Sequence, residues 1–398
     1  MLQAIALGEY VLLCGKCPKP VQANPFIPVN EPLLDGNEKK YLEACIDSGW
    51  ISSEGPFVEE FEKAFAKRVG RKHAIAVTNG TAAIDVAVEA LSIGSGDEVI
   101  LPTFTIISCV MQIIRNGAIP VLVDCDPDTW CMDVSQIEAK ITPKTKAIMV
   151  VHIYGLPVDM SPVNELAKKY GIKVIEDAAE AHGQLYKDKN CGSFGDISTF
   201  SFYTNKHITT GEGGMLLTDS DELANTCRSL RNLCFKPEQR FVHDRLGWNL
   251  RMTNLQAAIG LAQLERLDYF LGLKRAMGLR YLAGLNGIRH IKLPVDKLPY
   301  AMNNYWVFGV VLDEELNITA REAMKELQEL GVGTRPFFWP LHEQPLFAKS
   351  SLFKGEVYPN AERIARQGFY IPSGMSLTVE KIDDVINRFN RLSFIENM

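Results

Sequence analysis

The chain of 398 residues has no apolar run near the ~20 residues a membrane-spanning helix needs, because Asp, Lys or Gly interrupts every stretch. It has no long run of Lys or Arg either. Its 42 basic residues stand against 48 acidic ones, a formal net charge of −6, so the electrostatic footprint of a nucleic-acid-binding protein is missing. A disulfide framework is lacking too. The nine cysteines are odd in number and scattered, most in apolar contexts such as IISCVMQII, where cysteine serves as a small buried hydrophobe. The expectation is a reducing, cytoplasmic setting with every cysteine structural. Cys14-Gly-Lys-Cys17 has no second pair at zinc-ribbon spacing, so no metal site is expected. The N-terminus lacks the basic start and cleavage site of a secretory signal, and Glu9 interrupts its apolar run. Three cofactor motifs are absent as well: GxGxxG after the first strand, GxxxxGK[ST] and HExxH.

What is present is an ordinary globular balance, 46% apolar and 23% charged, in a chain longer than one core of roughly 250–300 residues accommodates. Residues 38–47 and 56–69 place apolar side chains at helical spacing. Short apolar runs then alternate with longer helical ones: HAIAVT (73–78), DEVILP, PVLVD (120–124), KAIMVVHIY (146–154), KVIEDA (173–178), ISTFSF (197–202) and MLLTD (215–219). Strands that are apolar throughout and separated by helices predict a mostly parallel sheet covered on both faces, a three-layer αβα arrangement. Residues 253–285 read as one long helical stretch, and a strand–helix mixture beyond it predicts a smaller α+β domain. The expected division is an arm over 1–25, a cofactor-binding large domain over 26–262 and a small domain over 263–398.

Ligands of open α/β sheets gather at the carboxyl ends of the strands, so candidate site residues are expected there. Strand 73–78 runs into Asn79-Gly80-Thr81 at a helix start, where free N–H groups, a hydroxyl and the positive dipole end suit a phosphate. Alone, Gly-Thr could equally be a plain cap. Strand 173–178 ends in Glu176-Asp177, followed by Glu180. A carboxylate at a buried strand end needs a cation, and a protonated cofactor nitrogen or an arginine would serve equally. The third piece is SFYTNKHITTGEGGM (201–215), in which Ser201 ends a strand and Lys206 follows in a Gly-rich turn. A desolvated lysine is a Schiff-base nucleophile, although an isolated one is more often a surface residue. Together the three ends fit a single ligand with a phosphate (Thr81, Ser201), a pyridinium nitrogen (Asp177) and an aldehyde (Lys206). That ligand is pyridoxal 5'-phosphate.

From about residue 26 to the C-terminus the sequence resembles the DegT-type nucleotide-sugar aminotransferases, fold-type I pyridoxal-phosphate enzymes. The resemblance runs in order through WISSEGPFVEEFE, NGTAA, GDEVILPTFT, KAIMVVHIYG, VIEDAAEAHG, SFYTNKHITTGEGGM, GWNLRMTNLQAAIGLAQLE and TRPFFWPLH. It implies Lys206 as the Schiff-base lysine, Asp177 beside the pyridine nitrogen and Glu180 near the ring's phenolic oxygen. It implies phosphate contacts from Gly80, Thr81, Ser201 and, from the second subunit of a homodimer, Asn249. Trp50, Ile51 and Ser52 correspond to a segment near the sugar nucleotide, and His342 to a histidine at the cleft. The lysine and RMTN motifs look most like those of members that aminate C4 of GDP-4-keto-6-deoxymannose with glutamate as donor.

Two departures stand out. Ile106 occupies the place of an aromatic residue that usually stacks on the cofactor, unless Phe104 substitutes for it, and Trp339 stands where His or Tyr often precedes the Pro of P-x-H. The alternatives are an aminotransferase for a UDP-linked keto sugar, a sugar 3-dehydratase and a non-catalytic cofactor-binding regulator. In the dehydratases a histidine takes the lysine's own position. Here that position is Lys206, and His207 is its neighbour, which favours transamination.

Overall fold

Seven short apolar strands form the central sheet: His73–Val77, Glu98–Pro102, Ile119–Val123, Thr145–Val151, Lys173–Asp177, Ile197–Ser201 and Gly214–Thr218. They belong to a computed structural model that describes residues 25–236, 238–347, 349 and 352–396. Nearly all of the arm expected over 1–25, with Cys14 and Cys17, lies outside the described residues. Across the sheet the order is 73–77, 214–218, 197–201, 173–177, 145–151, 98–102, 119–123. The strands from 197–201 to 119–123 pair in parallel, and only 214–218 runs against its neighbours. In strand 145–151, Ala147, Ile148, Met149, Val150 and Val151 are buried in succession, as expected of a strand covered on both faces. The helices flanking the sheet complete the expected α/β architecture.

The register fixes what meets at the carboxyl edge. Asp177 pairs with Val151 on one side and Thr199 on the other, and Gly214 lies between Ser201 and Val77. The three strand ends that the sequence singles out therefore open onto one edge of the sheet. A second, antiparallel sheet, ordered 291–292, 308–312, 368–371, 335–336, carries the C-terminal part of the chain. Its core joins Val310, Leu312, Phe369 and Ile371 to Tyr281, Leu327, Val385 and Phe389 of the surrounding helices.

The stretch 253–285 is two helices, Asn254–Leu264 and Leu267–Leu285, rather than one. Thr253 starts the first with a capping box closed by Gln256. The break at Glu265–Arg266 has no glycine or proline. Instead, Glu265 accepts hydrogen bonds from Asn37 and from the Tyr41 hydroxyl, and Arg266 pairs with Asp35. Residues some 230 positions earlier thus redirect the chain, and helix 267–285 goes on to pack against helix 379–389.

Candidate active site

A cavity of about 690 Å³ lies at the carboxyl edge of the large sheet. Of the residues singled out in the sequence, Gly80, Thr81, Ile106, Asp177, Glu180, Ser201 and Lys206 line it together. Asn79 caps the helix 80–90 by accepting from the Ala82 N–H at 2.8 Å. This leaves the first-turn N–H groups of Gly80 and Thr81, which line the cavity, without intrahelical partners. A Cβ on Gly80 would come within 2.7 Å of the Ser201 Cβ, so only glycine lets this helix end approach the Ser201 strand. Thr81 Oγ1 lies 2.8 Å from Ser108 Oγ, which sets its rotamer.

Asp177 is buried, and desolvation raises its pKa, against the lowering effect of the Ala179 N–H and of Lys206. Its Oδ1 accepts from Ala179 N at 3.0 Å, and its Oδ2 lies 3.5 Å from the Cys109 thiol. Burial first, and Asp177 second, hold the Cys109 thiol well above its usual range, so it stays protonated and donates. Cys109 is thus a buried residue, as the sequence reads it, whose thiol also reaches Asp177. Cys109→Ala is expected to slow turnover about five-fold, and Cys109→Ser, which keeps a donor, to stay near wild type in steady-state rates.

Lys206 Nζ lies 3.6 Å from Glu180 Oε1, with side chains 10% and 7% exposed. Burial lowers the lysine's pKa, opposed by Glu180 and Asp177. Burial pushes Glu180 up to about 7, opposed first by Lys206. Glu180 Oε2 also accepts from Tyr154 N at 2.8 Å. The ring of Trp306 covers the ammonium, its centroid 3.7 Å from Nζ. Trp306, Phe338, Tyr370 and Tyr203 wall the cavity; none of the four stands out in the sequence, the first three because aromatic positions after residue 300 read as core and Tyr203 because it sits unmarked within the lysine motif.

Ile106 faces the cavity at 44% exposure, whereas Phe104 is enclosed among Tyr154, Phe337 and Phe338 and does not line it. Trp50, Ile51, Ser52, Asn249 and His342 do not line the cavity of this chain. Trp50 and Ser52 offer their carbonyls to Asn254, and Trp50 and Ile51 leave large exposed faces. Asn249 is exposed and bridges to Asn232, beside the lining residue Leu250. The ring of His342 spans Thr103 Oγ1 at 2.8 Å and Glu362 Oε1 at 3.1 Å, which occupies both of its nitrogens. His207 is buried behind Lys206 and does not line the cavity.

The donor set fits pyridoxal phosphate: hydroxyls and N–H groups at a helix N-terminus for a phosphate, a buried carboxylate for a cationic ring nitrogen, and an amine for an aldehyde. Among the described residues no cation lies within salt-bridge distance of Asp177, so a ring N–H would supply the partner its burial demands.

A profile of the DegT/DnrJ/EryC1/StrS aminotransferase family matches residues 32–390. The chain is 45% identical to the GDP-perosamine synthase of Caulobacter vibrioides over 362 residues, 91% of this chain and 97% of that one. To the GDP-perosamine synthase of Escherichia coli O157:H7 it is 43% identical, with 92% and 98% covered. Among solved structures, the putative sugar aminotransferase Spr1654 of Streptococcus pneumoniae in its PLP form superposes with a TM-score of 0.85 at 25% identity, covering 94% of this chain and 99% of that one.

Proposed function

Because the chain belongs to the DegT/DnrJ/EryC1/StrS aminotransferase family, we propose that it transfers an amino group from glutamate to C4 of GDP-4-keto-6-deoxymannose, giving GDP-perosamine. The observation that carries this reading is the meeting of Lys206, Glu180, Asp177 and the N-terminus of helix 80–90 in one cavity. The named relatives support the choice of sugar and nucleotide.

Gly80, Thr81 and Ser201 would hold the cofactor's phosphate, Asp177 its ring nitrogen, Ile106 one face and Lys206 its aldehyde carbon. When bound, pyridoxal phosphate supplies an electron sink conjugated with the carbon that loses or gains a proton. Lys206 Nζ, whose pKa is lowered by burial, takes up that proton and returns it. Glu180 holds the lysine in place on one side and the Trp306 ring on the other. The aromatic walls exclude water from the proton transfer. His207, adjacent in sequence but outside the cavity, has no part in it, which favours amination over dehydration.

A surface groove of about 670 Å³ meets the cavity at the shared residue Pro336 and carries Arg321, Lys325 and Arg335. None of the three forms an ion pair among the described residues, and the nearby Glu322 is taken up by the Thr319 cap. In a chain of net charge −6 this local positive patch suits the diphosphate of the substrate. Arg335→Ala is expected to raise KM for the nucleotide sugar about five-fold with kcat nearly unchanged, read from steady-state kinetics.

A homodimer is part of the same reading. Phe241 and Leu246, 79% and 91% exposed, lie on the segment that leads to Asn249, and a partner chain would cover them while Asn249 completed its phosphate site. Sedimentation of the purified protein as a monomer at micromolar concentration would count against this. A cytoplasmic location also belongs to this reading, supported by the seven described cysteines, all free. So does the division into domains near residue 262. The deciding experiment is mass spectrometry of the product formed from GDP-4-keto-6-deoxymannose and glutamate. A UDP-linked keto sugar serves as the competing substrate, and a product without nitrogen would favour dehydration.

A further inference from the structure

Helix 267–285 carries a buried lysine that the reaction does not use. Lys274 is 1% exposed and has no acidic partner among the described residues. Its Nζ donates to the carbonyl of Trp306 at 2.8 Å and to the carbonyl of Ser373. Desolvation lowers its pKa to about 7. A buried amine without a counter-ion is costly, and a position that needed only bulk would hold methionine or leucine at no such cost.

The two carbonyls lie where the chain enters strand 308–312 and leaves strand 368–371. Trp306, which bears one of them, touches the active-site lysine and its neighbour: its ring lies over Lys206 Nζ, and its indole N–H donates to the carbonyl of Asn205, the residue before Lys206, at 2.8 Å. The backbone just before Trp306 is strained. Tyr305 has φ +51°, in the left-handed region that a bulky residue avoids. Four contacts impose it. Asn303 Oδ1 accepts its N–H, Asp296 accepts its hydroxyl, Gly278 packs flush beneath its ring, and Lys274 holds the following carbonyl. A Cβ at residue 278 would come within 2.2 Å of that ring, so the helix is shaped to approach this turn one helical turn beyond Lys274.

We propose that Lys274 is a positioning residue for the catalytic lysine: by clamping the Trp306 and Ser373 carbonyls, it holds the Trp306 ring over Lys206 Nζ and so sets the protonation of that amine. This rests on the reading of Lys206 as the proton-transferring group. The contact between a desolvated ammonium and an indole face favours the charged form of Lys206, opposing its burial. The other titratable groups around Lys206 are Glu180, Asp177, Cys109, His182 and His207, with Lys274 itself facing His207. The substitutions below replace none of them, and Lys274→Met relieves His207 alone of a neighbouring charge.

The test uses the protein freed of cofactor. The rate of reductive methylation of Lys206 as a function of pH, followed by mass spectrometry of its peptide, gives the amine's titration midpoint. Lys274→Met should lower that midpoint by about one pH unit. Trp306→Leu should lower it at least as far, and Lys274→Met should add nothing in the Trp306→Leu background. The sign is informative, since simple removal of a neighbouring positive charge would raise the midpoint. An unchanged or raised midpoint in Lys274→Met, or an equal further fall in the double variant, overturns the proposal. Should Lys274→Met not fold, Lys274→Gln carries the test. Its arm is one atom shorter and cannot span both carbonyls, so a smaller fall is expected, and no fall overturns the proposal. No sugar substrate takes part, so a wrong assignment of the nucleotide sugar leaves the outcome untouched, whereas a wrong role for Lys206 shows in the activity of Lys206→Ala.

Discussion

Lys206→Ala is expected to lower turnover by about a thousand-fold or more while leaving a folded protein that still takes up pyridoxal phosphate. The reasoning is geometric. Among the described residues lining the cavity, Lys206 is the one amine, and Glu180 and the Trp306 ring hold it from two sides. Phosphate-holding groups on helix 80–90 and Ser201 lie on other elements, so cofactor retention should survive the change. Arginine at this position keeps the charge but cannot give up a proton near neutral pH, so Lys206→Arg should be as inactive as the alanine variant. In the wild type, burial lowers the pKa of Lys206, and below that pKa the amine already carries a proton and cannot accept one. The value of kcat/KM for the keto sugar, whose reaction begins with Lys206 free of the cofactor, should therefore rise with pH through this titration. Product formation by Lys206→Ala at more than a few per cent of wild type, read by mass spectrometry, would sink the assignment.

Much of this site was legible in the sequence because it is built at strand ends. A strand covered on both faces is a continuous apolar run, and its last residue is conspicuous when it is Asp177 or Ser201. The parallel register then brings those ends together without further information. Other features are legible only in three dimensions. Tyr370 comes from the second sheet and Trp306 from the turn leading into it, a hundred or more residues from Lys206, and in the sequence an apolar aromatic reads as core. Cys109 lies in an apolar helix and reads as filler, yet the sheet brings it within 3.5 Å of Asp177. The break at Glu265–Arg266 is imposed by Asp35, Asn37 and Tyr41, so no local signal could mark it. His342 reads as a cleft histidine, but its two nitrogens tie Thr103 to Glu362, a role that depends on partners from two distant segments.

The second large effect is expected at Asp177. Asp177→Asn should lower kcat by about a hundred-fold or more, because the amide keeps the size and the Ala179 contact but carries no negative charge to hold a proton on the ring nitrogen. Stability should move the other way. Burial raises the folded-state pKa of Asp177 above its unfolded value, so the folded state binds the extra proton and stability falls as pH rises through that window. Above that window the wild type without cofactor bears the cost of a desolvated carboxylate, which the asparagine variant is spared. The cofactor-free variant should accordingly unfold at the same temperature as the cofactor-free wild type or a higher one, while the wild type gains more from adding pyridoxal phosphate. Thermal unfolding of both proteins with and without cofactor measures this. A variant that lost activity and thermal stability together would mark Asp177 as a structural carboxylate. Loss of activity with stability kept or raised is what a charge maintained for a ligand requires, since its burial is compensated only when the ring's positive charge is in place.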